Sequence, residues 1–140
     1  MRLFLLIIGF SIISIYGMGQ TASITLKVTN IQTAKGNMSI AIFNSADGFP
    51  EGDNFIIGKH IPINSKEFKY VLSDIPFGTY AIAIYHDLDK NGELNTNWIG
   101  IPSESYGFSY KKKGDSGSPD FDDASFELTG DKVVLIDLID

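Results

Sequence analysis

The chain has 140 residues, with seventeen acidic against eleven basic side chains for a net charge of −6, and it contains no cysteine. The negative balance argues against nucleic acid, whose phosphates call for Lys and Arg. The lack of cysteine excludes disulfides, thiolate metal centres and a cysteine nucleophile, so packing alone, or packing with a metal, must hold the fold.

At the start, Arg2 precedes an apolar run from Leu3 to Ile15, and Gly17-Met18-Gly19 then offers small residues for cleavage. This pattern predicts a secretory signal peptide over residues 1–19. The run is shorter than the roughly 20 apolar residues of a spanning helix, and no cysteine follows for lipid attachment. The expectation is an exported, soluble protein of the periplasm or cell surface, without a transmembrane anchor. Residues 20–140 fit one domain, and loss of Arg2 leaves them with ten basic and seventeen acidic residues, net −7.

Along that domain, apolar residues alternate with polar ones at Ile24, Leu26 and Val28, and again at Met38, Ile40 and Ile42 after Lys35-Gly36-Asn37. Phe68, Tyr70 and Leu72 repeat the pattern, and Ile75-Pro76-Phe77-Gly78 turns the chain into Tyr80, Ile82 and Ile84. Ala124, Phe126 and Leu128 lead through Thr129-Gly130-Asp131 into a last strand from Val133 to Ile139. Period two over such short runs predicts half-buried strands. A seventh strand within Phe55 to Ile63 is predicted at a sheet edge, because Gly58 and Pro62 weaken it. Helix is expected only as one turn near Asp47 to Asp53. The predicted architecture is all-β: a two-sheet antiparallel sandwich of immunoglobulin or transthyretin type with about seven strands, a small closed barrel being the competitor. Asp87 to Asp123 is the one long loop, a class of segment that is usually functional or disordered. Within it, Lys111 to Ser118 reads as flexible and Trp98 to Tyr110 as able to pack down.

The beginning of that loop, His86-Asp87-Leu88-Asp89-Lys90-Asn91-Gly92-Glu93-Leu94-Asn95-Thr96-Asn97, spaces oxygen-bearing side chains as a calcium loop does. With Asp87 first, Asp89 and Asn91 fall at positions 3 and 5, Gly92 at the turn position 6, the Glu93 carbonyl at 7 and Asn95 at 9. Position 12 holds Trp98 instead of a bidentate glutamate, so calcium would bind weakly and need a ligand from elsewhere; Glu104, Asp122 and Asp123 are the candidates. The competing reading is a hairpin whose Asp and Asn side chains cap their own backbone, for which Asn91-Gly92 is a standard signal. His86 shares parity with Ile82 and Ile84. It is read as a structural histidine bonded to loop backbone or a carboxylate and positioning Asp87, in preference to a metal ligand or general base. His60 carries no such signal.

Trp98, Tyr106, Phe108 and Tyr110 form either a stacking platform for a sugar or envelope protein, or a miniature core beneath the loop. Gly114 to Pro119 reads GDSGSP, close to the sequence around the nucleophile of chymotrypsin-like proteases. That chemistry needs a converging histidine and aspartate and about twice this length of chain, so the match is accidental. Asp87 with Glu104 could act as acid and base in a small hydrolase, for instance in glycoside cleavage.

The segments HDLDKNGELNTNWIGIPSESYGFS and SPDFDDASFEL, with ITLKVTNI and GNMSIAIFNS upstream, resemble the bacterial family called domain of unknown function 2141. The resemblance covers nearly all of residues 20–140. Its most specific part is His86-Asp87, Asn91-Gly92, Gly100-x-Pro102-x-Glu104-x-Tyr106-Gly107-Phe108-Ser109 and Pro119-x-Phe121-x-Asp123-Ala124. It implies an exported β-sandwich and brings no catalytic residues. The family pattern it implies is His-Asp-x-Asn-x-Asn-Gly-x-x-Asp, so that here Asp89 replaces the first asparagine and Asn95 the final aspartate. The expected function is a non-enzymatic binding or structural module of the cell envelope with a calcium-organised loop. The alternatives are a carboxylate-based hydrolase and a carbohydrate-binding module using the loop aromatics.

Overall fold

A computed structural model describes residues 19–110 and 117–140. Nearly all of the expected signal peptide, most of the stretch expected to be flexible, and Gly114 to Ser116 of the GDSGSP match lie outside the described residues.

The elements are β1 (Thr21–Thr29), β2 (Asn37–Phe43), β3 (Ile57–Pro62), β4 (Phe68–Pro76), β5 (Gly78–Asp87), β6 (Tyr106–Phe108), α1 (Phe121–Ala124), β7 (Phe126–Leu128) and β8 (Lys132–Asp137). They form two sheets, β4-β1-β8 and β3-β2-β5-β6, with β7 paired to the first residues of β5. The alternating apolar residues meet between the sheets. Ile24, Leu26, Val28, Leu72, Val134 and Ile136 of the first sheet share one core with Met38, Ile40, Ile42, Ile82 and Ile84 of the second. Each such side chain contributes about 1.5–3 kcal/mol by leaving water. As Gly58 and Pro62 imply, β3 is an edge strand.

Four local expectations are corrected. The sandwich is not purely antiparallel, because β8 runs parallel to β1. Thr129-Gly130-Asp131 carries the chain from one sheet to the other; Asp131 accepts a hydrogen bond from the Ser23 N–H and Asp137 one from the Thr29 hydroxyl, tying β1 and β8 at either end. The helical turn expected near Asp47 to Asp53 is a series of turns, since Gly48, Pro50 and Gly52 are poor helix formers. Helix instead appears at Phe121–Ala124, where a strand was expected to begin at Ala124. Two acidic residues in the first turn, Asp122 and Asp123, favour that start, and the Ser109 hydroxyl donates to the Ala124 carbonyl.

The fourth correction matters most for function. The long loop is divided by an eighth strand, β6, which pairs with Ala83–Tyr85 of β5. Gly107 permits it: a Cβ there would lie 2.6 Å from Ile136 Cγ2, so only glycine lets β6 pass β8 this closely. Tyr106 and Ile139 then exchange two backbone hydrogen bonds, of 3.0 and 2.8 Å, joining the sheets along this edge. The segment from Asp87 to Ser105 is therefore closed at both ends by strand pairing. On the outer face of the second sheet, Phe49 packs edge-on against Phe43, Phe108 and Phe121 at centroid distances of 5.2, 6.1 and 5.9 Å. This aromatic cluster forms a satellite core beyond the sheet.

Candidate metal centre

Asp87 is the last residue of β5 and is fully buried (0 %), although it is ionisable and begins a loop. Gly36, at φ +83°, brings the start of β2 against it; a Cβ on Gly36 would stand 2.5 Å from the Asp87 carbonyl oxygen. The buried carboxylate is compensated by two backbone N–H groups, from Asn91 to Oδ1 (3.1 Å) and from Gly92 to Oδ2 (2.9 Å). These fold the loop back over its own first residue.

Glu104 arrives from the other side, just before β6, and is also buried (6 %). Its Oε1 accepts the Leu88 N–H at 2.9 Å and its Oε2 the Asn95 N–H at 3.0 Å, so that one side chain clamps both strands of the loop. Asp89 lies exposed between them, accepting the Asn91 N–H (3.2 Å) and the Asn95 side-chain amide (2.7 Å). One oxygen each from Asp87, Asp89 and Glu104 lie within 4.8 Å of one another.

The electrostatics follow from these contacts. Asp89 is held below its ordinary value of 3.8, chiefly by the hydrogen bond from Asn95; desolvation opposes this, while the Asn91 N–H and hydrogen bonding with Asp87 add to it. Tyr85, whose hydroxyl donates to the Gly92 carbonyl at 2.6 Å, is shifted upward. Burial is the main cause, the Ser39 hydroxyl opposes it, and the charges of Asp87, Glu104 and Glu93 reinforce it.

The predicted residues separate clearly. Asp87 and Asp89 come together with Glu104, the candidate for the missing ligand that reaches the loop. Asp122 and Asp123 do not join them: they are exposed on α1, which docks beside Ile82 through Ser109, five residues and so about 16 Å along β5 from Asp87. Asn91 bonds Asn95 (side-chain amide to Oδ1, 2.6 Å) and accepts the Glu93 N–H at 2.8 Å, while the Glu93 side chain is exposed. His86 is buried where its parity placed it, and its Nε2 lies 2.7 Å from the Lys35 carbonyl. A carbonyl only accepts, so that nitrogen carries the proton and is committed to the backbone. His60 contacts the Ser39 hydroxyl at 2.8 Å. Among the aromatics, Phe108 is buried and Tyr106 packs on it at 5.8 Å, whereas Trp98 and Tyr110 are exposed.

A family model described as an uncharacterized protein conserved in bacteria (DUF2141) matches residues 26–136. The chain belongs to this family. No curated protein and no solved structure matches it. The DUF2141 match spans β1 to β8 and includes the whole carboxylate cluster. Relative to the pattern that the resemblance implies, Asn and Asp are exchanged at positions 89 and 95. The two side chains bond one another directly, so swapping them exchanges donor and acceptor across one contact and keeps a single carboxylate in the pair.

Three supporting residues are not among the predicted site residues. Lys35 acts through its carbonyl, Gly36 through its missing side chain, and Asn97 accepts the Ile99 and Ile101 N–H groups at 3.1 and 3.0 Å. Lys35 and Gly36 enter the sequence reading only as the residues before a strand, and the proximity of Gly36 to Asp87 depends on strand pairing across 51 positions, as the His86 to Lys35 contact does.

Proposed function

We propose that this protein is an exported, non-enzymatic β-sandwich module of the cell envelope, of immunoglobulin or transthyretin kinship, whose loop from Asp87 to Glu104 binds calcium and presents a surface to an envelope partner. The observation that carries the calcium reading is the convergence of three carboxylates on one point within 4.8 Å. Their hydrogen-bond partners in the loop are uncharged amides, which leave the negative charge in place. An ionised carboxylate offers about four lone-pair positions; six N–H contacts use about half of those on the three groups. The remainder can meet a hard cation without dismantling the loop, and oxygen-only ligation suits calcium. Burial of Asp87 and Glu104 favours this over a hydrolase, in which both would have to face a substrate.

With few carboxylates, the dissociation constant should be about 10⁻⁴ to 10⁻³ M. Calcium at ten times that value stabilises the fold by about 1.4 kcal/mol, a rise in melting temperature of a few degrees for a domain of this size. Magnesium should do less, because it dehydrates reluctantly. Asp89→Ala is the informative variant: Asp89 is exposed, so its loss should remove the calcium shift while changing the calcium-free protein little. A calcium-independent melting temperature up to 10 mM would refute the reading.

A further inference from the structure

Beyond the carboxylate cluster the loop continues into a narrow hairpin with an apolar tip. The Ser103 N–H bonds the Asn95 carbonyl at 2.8 Å, Thr96 faces Pro102, and the Asn97 N–H bonds the Ile101 carbonyl at 2.8 Å. The Gly100 N–H returns to the Asn97 carbonyl at 3.0 Å, and Asn97 Oδ1 takes the Ile99 and Ile101 N–H groups. At the end stand Trp98, Ile99 and Ile101, exposed by 94, 57 and 55 %.

Three properties of this hairpin point to one kind of environment. Residues 94–103, LNTNWIGIPS, contain no ionisable side chain, in a chain that is 20 % charged. The N–H groups of Asn97, Ile99, Gly100, Ile101 and Ser103 are paired within the hairpin, which lowers the penalty for leaving water and leaves the Trp98 N–H and the tip carbonyls to the hydrated headgroup layer. The tip carries tryptophan, the side chain most at home at the boundary of headgroup and hydrocarbon, beside two isoleucines. The tip is also convex. With Trp98 almost wholly uncovered, a protein partner would have to supply an entire pocket, whereas a fluid interface closes around any projecting group.

We propose that Trp98, Ile99 and Ile101 form a membrane-contact tip that enters the interfacial layer of a bilayer with zwitterionic headgroups. The charge of the molecule selects the headgroup class: behind the tip Asp87, Asp89, Glu93 and Glu104 outnumber Lys90, and the chain carries net −6, or −7 without residues 1–19, so an anionic surface repels it within a Debye length. The proposal does not depend on cation binding.

Trp98 is the single tryptophan, so its fluorescence reads the tip alone. The purified protein is titrated with phosphatidylcholine vesicles, and co-sedimentation is followed in parallel. Trp98 emission should shift to the blue and be quenched by lipids brominated near the headgroup end of the acyl chain. Phosphatidylglycerol vesicles at low salt should give a weaker response. The double variant Ile99→Ser, Ile101→Ser keeps the reporter and touches no core residue; its partitioning should fall at least about tenfold, with an unchanged melting temperature. The proposal is overturned if the emission keeps its water-exposed position at saturating vesicles, including when the chain co-sediments by another route. It is also overturned if the double variant responds like the parent, or if soluble oligosaccharides shift Trp98 emission and vesicles do not.

Discussion

Between the sheets, Leu26, Ile42, Ile82 and Ile136 are held by removal of apolar surface from water, a force without direction that needs no particular partner atom. Between Asp87 and Glu104, six N–H contacts to three carboxylates hold the chain, each with one donor, one acceptor and a required ionisation state. The two regions meet at β5, where Ile84 belongs to the first and Asp87 to the second. The core should therefore respond to changes of volume and ignore pH and cations, and the loop should do the reverse.

The largest effect tests the core. Leu26→Ala leaves a cavity in a fully buried site and should cost about 3 kcal/mol, lowering the melting temperature by about 10 °C. The calcium-induced shift should persist in that variant; its disappearance would show that core and loop are one cooperative unit.

Next in size is Asp87→Ala. Treated only as a calcium ligand, Asp87 would be dispensable to the metal-free fold. Its complete burial and its two N–H partners say otherwise. Taking the acceptor from the Gly92 N–H and leaving the Asn91 N–H with Asp89 alone should cost about 2 kcal/mol without any metal, measurable by urea unfolding in a chelator. A loss confined to calcium-containing buffer would break the distinction between the two regions.

This difference also sets what could be read from the sequence. Core strands declare themselves by alternation, so the centres of β1, β2, β4 and β5 were legible, and β3 was legible as an edge; their ends were not, since β4 runs on to Pro76 and β5 spans Gly78–Asp87 across residues read as a turn. The three-residue β6 was not, because its existence depends on Gly107 slipping past Ile136, a contact between distant segments. Parallel pairing of β1 with β8 was hidden for the same reason. In the loop, spacing revealed Asp87, Asp89, Asn91 and Asn95 as a group. It could not reveal that Asp87 is buried, nor choose Glu104 over Asp122 and Asp123, since that choice is made by β6 and α1 docking at different heights along β5.

A smaller effect should appear with pH. Asp89 is held below 3.8 in the folded state, so the folded form binds its proton less readily than the unfolded chain. Its contribution is complete above about pH 3.8 and is lost as pH falls through the lowered folded value. Protection of the Asn91 backbone amide and the Asn95 side-chain amide, which donate to Asp89, should weaken on acidification before that of the Leu26 or Ile82 amide, as seen by NMR. Simultaneous loss everywhere would contradict a separately held loop. Smallest of all, Trp98→Ala should change stability by less than about 0.5 kcal/mol, because its side chain touches almost nothing; a larger loss in thermal melts would mean that Trp98 packs.

Hydrogen exchange tests the central claim most directly, because the amides of Leu88, Gly92 and Asn95 donate to Asp87 and Glu104 themselves. Exchange of these amides is compared with that of Leu26 and Ile82 in chelator and in 10 mM calcium, for the parent chain and for Asp89→Ala. Without calcium the loop amides should exchange faster than the core amides. Calcium should slow them about tenfold in the parent, leave Asp89→Ala unaffected, and slow the core amides no more than global stabilisation requires. Loop exchange that is identical with and without calcium would contradict a cation-binding loop and leave the three carboxylates as backbone caps alone.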